Sequence, residues 1–310
     1  MQISILLAQQ IAQLFLILIM GYAVVKAGLL KASDSKVLSV VMVYLVTPCV
    51  IINAFQINDT PEIRKGLLYS MAIAAAIHVV LLGISALLSR PLKLDAVEQV
   101  NVIYSNAAAL VIPLVKALMG DAYVIYSCAF IIVQLVLLWT HCCTVLRGDK
   151  GIDLKKIVTN LNLIAIVAAA LLFALHITLP AGLVTTISSV GNMIGPLGML
   201  LAGMAIAEKP LRDVFCTRRN YLPTVLRLVV CPLVMLVLLL VCHASSWVAD
   251  GKNILMTVYL AAITPACATV TSMAQLYDRD AAHSSALYVL TTLLSIITMP
   301  VMIGLFDLLL

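Results

Sequence analysis

Apolar residues run along the chain in long, nearly unbroken stretches of about 20 residues, each closed by a short cluster of charge, and a helix of that length crosses the hydrocarbon layer of a bilayer. Ten such stretches are predicted, near 5–25, 36–56, 66–88, 98–119, 122–146, 158–178, 183–206, 221–245, 253–276 and 281–307. They are continuous and rich in Leu, Ala, Val and Ile, without the two-residue alternation of a barrel strand, so the expected fold is an all-α polytopic membrane protein. Residues Met1 to Gln10 carry no basic segment and no small-residue cleavage site precedes Ala27, so the first stretch is expected to be a span and not a removable signal.

Composition strengthens this reading. Of 310 residues, 63% are hydrophobic and 11% charged, and the mean hydropathy is +1.14. No soluble core hides that much apolar surface. Eight cysteines fall mostly inside the stretches with no CxxC and no metal-ligand spacing, so they are expected to be buried thiols, with no metal and no cofactor.

The basic residues set an orientation. Fourteen of nineteen Lys and Arg lie in the loops after spans 1, 3, 5, 7 and 9, whereas the even-numbered loops hold Arg64, Lys65 and Lys252. Cytoplasmic loops are the Lys/Arg-rich ones, so both termini are expected on the extracytoplasmic side. The net charge of +5 follows from this bias and calls for no nucleic-acid partner.

Five spans in each half is an odd number, so if residues 1–150 and 151–310 are related repeats they insert upside down relative to each other. Prolines support such a relation: Pro48 and Pro196 sit mid-span in spans 2 and 7, and Pro113 and Pro265 interrupt spans 4 and 9. Proline removes a donor and disturbs the preceding turn. In spans 4 and 9 it accompanies small, hydroxyl and amide residues: Asn106 and Ala107 in one, Thr264, Thr269 and Thr271 in the other. Exposed backbone at membrane depth survives only where protein or a watery cavity meets it, so a discontinuous helix at a binding site is expected there, its half-helix N-termini offering N–H groups to an anion.

None of the fourteen acidic residues lies deep in a span. A cation cargo and carboxylate-mediated proton coupling are thereby disfavoured, while sodium held by carbonyls and hydroxyls around Asn106, Thr264, Thr269 and Thr271 stays open. Two cations do fall within spans. Lys116 either snorkels or draws an anion toward span 4, and Arg227 either snorkels or takes part in ion coupling or gating. His78, mid-span 3, is either a coupling group or a hydrogen-bond partner of a neighbouring helix, and Gln134, Asn162 and Asn192 read as interhelical partners. No Ser–His or paired-Asp constellation, GxSxG or Walker A sequence is present, so neither an enzyme nor an ATP-driven pump is expected.

The run Ser105-Asn106-Ala107 through Ile112-Pro113-Leu114-Val115-Lys116 to Gly120, with Thr264-Pro265 through Ala274 to Tyr277 and the closing Thr298-Met299-Pro300, resembles the auxin efflux carrier family. Absence of a long central loop makes it similar to bacterial members, which are linked to malate, malonate and related carboxylates. Ala-Ala-Ala follows Asn106 where Gly-rich sequence is frequent in that group. The resemblance implies two inverted five-helix repeats in a bile-acid/antiporter-like fold, with a scaffold of spans 1, 2, 6 and 7 and a transport domain of spans 3–5 and 8–10. It also implies broken helices 4 and 9 crossing at the site, elevator-type alternating access, residence in a bacterial inner membrane, and a homodimer formed through the scaffold.

The expected function is a secondary transporter of a small mono- or dicarboxylate. Its expected site comprises Asn106, Ala107, Pro113, Lys116, Asn53, Thr264, Pro265, Thr269 and Thr271, with His78 and Arg227 as coupling or gating groups. A sodium-coupled bile-acid-type symporter, a sensor and a channel are the alternatives.

Overall fold

A computed structural model describes residues 2–56, 60–148, 159, 161–207 and 211–310. Among them every extended element is a helix, and the only strand-like pairing is an isolated bridge between Ser105 and Ala266. We number the helices α1 (Gln2–Lys26), α2 (Ala32–Asn53), α3 (Pro61–Ser89), α4 (Ala96–Ile103), α5 (Ala107–Met119), α6 (Val124–Arg147) and α7 (Leu161–Ala174). The remainder are α8 (Ala181–Gly191), α9 (Ile194–Ala207), α10 (Leu211–Cys216), α11 (Arg218–Val241), α12 (Gly251–Ile263), α13 (Ala268–Leu276) and α14 (Ala281–Leu309).

Six of these units are long and apolar enough to cross a membrane: α2, α3, α6, α11, α14, and α8 run on into α9. The predicted stretches 98–119 and 253–276 are instead each divided, into α4 and α5 and into α12 and α13. Side chains such as Leu161, Ile164, Val167, Leu171 and Leu175 stand exposed along and just past α7, an apolar outer surface suited to lipid.

The prolines act in different ways. Pro48 and Pro232 each follow a π turn, Met42–Val46 and Leu226–Val230, so the helix widens by one residue and continues. The Thr47 hydroxyl donates to the Met42 carbonyl at 2.8 Å, the same oxygen that accepts the Thr47 backbone N–H across the widened turn. Pro196 lies in the first turn of α9, just past the turn at Asn192 and Met193. Pro113 is the exception to expectation. It lies within α5, and the break in that stretch falls at Tyr104–Asn106, seven residues before it.

Packing divides the helices. α1 lies against α9 so closely that a Cβ on Gly21 would meet the Leu200 carbonyl oxygen and one on Gly203 the Leu18 carbonyl oxygen, a small-residue contact of the kind membrane helices use. α7 and α8 pack on the C-terminal half of α2, where a Cβ on Gly191 would stand 3.4 Å from Val50. Met42, Val46, Val50, Ile194, Leu197 and Leu201 form a small core between α2 and α8–α9. The large core is built mainly from α3–α6 and α11–α14. At one edge of it buried Glu98 accepts from Arg219 Nε and Nη2, both at 2.5 Å, and Arg219 also donates to the Leu92 and Lys93 carbonyls. That clamp ties the start of α11 to the capped start of α4, where Asp95 and Glu98 form a capping box.

Candidate functional site

The two divided helices meet where each is unwound. Asn106 N donates to the Pro265 carbonyl at 2.8 Å and Cys267 N donates to the Tyr104 carbonyl at 3.0 Å, so Tyr104–Asn106 and Thr264–Cys267 run antiparallel as a two-rung ladder inside the protein. Such pairing satisfies backbone groups that a broken helix leaves bare. The following long helix in each half secures its own break. Gln134 of α6 accepts from Ser105 N at 2.9 Å and from Ser105 Oγ at 2.7 Å, and donates to the Ser105 carbonyl at 2.7 Å. Thr291 of α14 accepts from Ala266 N at 3.1 Å.

Arg227 completes the crossing. Its side chain is 1% exposed, so it does not snorkel. Nε and Nη2 donate to the Thr264 carbonyl at 3.1 and 2.8 Å, Nη2 also to Ala262 at 2.5 Å, and Nη1 to Val102 and Ile103 at 3.1 Å each. These carbonyls close α4 and α12, the groups a helix C-terminus leaves without intrahelical donors. Among the described residues no carboxylate pairs with the guanidinium; its counter-charge is two helix ends.

The opposite ends of the break, the N-termini of α5 and α13, adjoin a cavity of about 20 Å³, room for roughly one water. Its lining includes Met42 and Thr47 of α2, Asn106, Gln134, Cys267 and Thr269. Trp139 and Asn162 also line it, and Trp139 Nε1 is a buried donor with no partner among the described residues. Among the described residues no lining side chain carries a formal charge.

Of the expected site residues, the structure brings Asn106 and Thr269 to this cavity. Pro265 and Thr264 lie in its ladder, with the Thr264 hydroxyl turned to the Ala261 carbonyl at 3.0 Å and its own carbonyl held by Arg227. Ala107 is fully buried at the first turn of α5. Thr271 lies elsewhere, sharing a 3.0 Å hydrogen bond with Ser284 beside a second cavity of about 40 Å³. Ser272 of that cavity donates to Ser39 of α2 at 3.2 Å. Asn53, at the end of α2, is not among the lining residues of either cavity. His78 is fully buried in α3, its Nδ1 2.7 Å from the Ala74 carbonyl of its own helix and its ring 4.7 Å from that of Phe130. The side chains of Pro113 and Lys116 lie outside the described residues, although their backbone belongs to α5. Thr47, Trp139 and Cys267 were not singled out as site residues by sequence, because a lone hydroxyl, indole or thiol in an apolar run carries no spacing signal. Gln134, read as an interhelical partner, holds that role here and also lines the cavity.

Comparison with known proteins agrees with this architecture. A family described as "Membrane transport protein" matches residues 6–152 and 146–303. No curated protein matches the chain. With a buried helix crossing beside a small cavity, and a match that runs over nearly all of its length, the chain belongs to the membrane transport protein family, that of the auxin efflux carriers.

Proposed function

We propose that this protein is a secondary transporter of small organic anions, mono- or dicarboxylates, with its site at the crossing of α4–α5 and α12–α13. One observation carries the reading: the half-helix N-termini border the cavity, whereas the C-termini are covered by Arg227. Helix N-termini carry partial positive charge and unpaired N–H groups, a ready anion site. Asn106 and Trp139 add donors, and the cavity, which has room for about one water in this state, would widen to admit a short carbon chain against its apolar lining as the two bodies move.

The division of packing supports elevator-type movement. α1, α2 and α7–α9 would serve as scaffold and α3–α6 with α11–α14 as the moving body, with the cavity between them lined from both sides. The paired contacts of α1 on α9 and of α7 on α2, and the matching anchors Gln134 and Thr291, support two inverted repeats. The Lys/Arg-rich loops support extracytoplasmic termini, and the resemblance to bacterial members without a long central loop supports residence in an inner membrane.

The test is exchange of labelled malonate by purified protein in liposomes loaded with unlabelled malonate, compared with the Asn106→Ala variant. Saturable exchange that Asn106→Ala reduces at least about tenfold is the expected result. Absence of exchange for mono- and dicarboxylates under every ion gradient, or normal exchange by Asn106→Ala, would overturn the reading.

A further inference from the structure

A pair of crossing broken helices presents two positive and two negative ends, each worth about half an elementary charge. Left bare, the four ends cancel, and the C-terminal carbonyls form the oxygen cluster that a hard cation would occupy. In this chain they are not bare. The Arg227 guanidinium takes the carbonyls of Val102, Ile103, Ala262 and Thr264 from two different helices at once. A planar five-donor group that stays charged in proteins can do this; a lysine ammonium has neither the fork nor the reach across both ends.

Burying a charge away from water costs several kcal/mol unless dipoles or counter-charges replace its hydration. Among the described residues, every acceptor that meets this cost is a backbone carbonyl. Helix α11 contributes the geometry, because Arg227 sits on the π turn Leu226–Val230, where an extra residue per turn shifts the side-chain direction toward the crossing.

We propose that Arg227 is the charge-selectivity determinant of the crossing: a resident cation that fills the position between the two helix C-termini, excludes a free cation from it, and leaves the N-terminal ends unopposed for an anion. This rests on the anion-transport reading. Among the described residues no side chain lining the cavity is formally charged, and the preference for negative charge rests on the backbone ends and on the guanidinium behind them. Arg227 acts as a positioning and electrostatic residue that does not touch the cargo.

The experiment compares wild type, R227K and R227Q, purified in detergent, for affinity toward malonate and acetate and for thermal midpoint in sodium chloride against choline chloride. R227Q weakens malonate by at least about tenfold and acetate by a clearly smaller factor, because the lost term scales with ligand charge. R227K, lower in thermal midpoint through its lost carbonyl bonds, recovers most of the malonate affinity that R227Q loses. Sodium raises the midpoint of R227Q by filling the vacated carbonyls and leaves wild type unmoved. Equal loss of malonate and acetate, or equal loss in R227K and R227Q, assigns the residue a purely structural role and overturns the proposal. If R227Q does not fold, wild type still decides: sodium-dependent stabilisation or sodium-enhanced malonate binding there overturns it. Wild type that binds neither anion refutes the transport reading, while the sodium comparison still tests the occupied cation position.

Discussion

Asn106 N lies 2.8 Å from the carbonyl oxygen of Pro265, residues 159 positions apart, and this bond joins two helices at the points where each has come undone. Each break supplies what the other lacks. Thus the crossing is a single hydrogen-bonded unit, with Gln134, Thr291 and Arg227 as its outer braces.

Gln134 is the brace with the most to lose. Replacing it with Leu strands the N–H, carbonyl and hydroxyl of Ser105 in a buried setting, at a cost of about 2–4 kcal/mol. The thermal midpoint of Gln134→Leu in detergent should fall by several degrees and anion exchange should be lost; an unchanged midpoint would contradict the brace.

Close approach of α1 and α9 makes Gly203 intolerant of bulk. Gly203→Val places side-chain carbon against the Leu18 carbonyl and the Tyr22 amide, and a cost of about 1–3 kcal/mol or more follows from overpacking. Gly182→Val and Gly304→Val, where a Cβ meets nothing within 4 Å, are the controls. Detergent-solubilised yield and monodispersity should drop for Gly203 alone.

Arg219 and its neighbour Arg218 provide an internal comparison. Arg219→Ala leaves the buried Glu98 carboxylate without its bidentate partner and releases two loop carbonyls, so a loss of about 1–3 kcal/mol is expected, below the figure for a fully buried pair because Arg219 is partly exposed. Arg218→Ala, an exposed side chain, should change the thermal midpoint little.

Tyr123 gives a pH dependence outside the spans. Its hydroxyl donates to Asp250 Oδ2 at 2.5 Å, and that bond to a carboxylate holds the phenol above its ordinary value of about 10. A raised folded-state value means the stabilisation is fully present below the unfolded value and is lost as pH rises through the folded one. The midpoint difference between wild type and Tyr123→Phe should therefore hold constant up to about pH 10 and shrink above it; a constant difference through pH 11 would contradict the assignment.

Cys267 lines the cavity at 6% exposure. In a variant whose other seven cysteines are replaced, a small methanethiosulfonate reagent should label it slowly, and saturating malonate should slow labelling at least about threefold by occupying the cavity. Labelling indifferent to malonate would move the site elsewhere.

Membrane residence was legible in the chain because it is a bulk property: any apolar run of sufficient length must leave water, wherever its partners lie. The vicinity of the helix crossing was legible too, since Asn106, Thr264 and Pro265 are residues an uninterrupted apolar helix has little use for. The position of the break in span 4 was not. Proline is the strongest local breaker, yet Pro113 sits inside α5, while Tyr104–Asn106 unwinds because Pro265, Cys267 and Gln134 offer its backbone better partners than the helix does.

Arg227 shows the limit most clearly. By sequence it is one cation in an apolar stretch, equally suited to snorkelling or gating, because nothing local tells which way its side chain turns. Its role depends on four carbonyls contributed by α4 and by α12 with the turn after it, segments more than 140 residues apart, and only tertiary packing brings those ends together. Hydrophobic patterning along the chain determined that this protein lives in a bilayer, and its polar and proline interruptions determined which two of its spans falter. Which helix ends meet, and which charge is left facing the cavity, depended on long-range backbone pairing that no local pattern encodes.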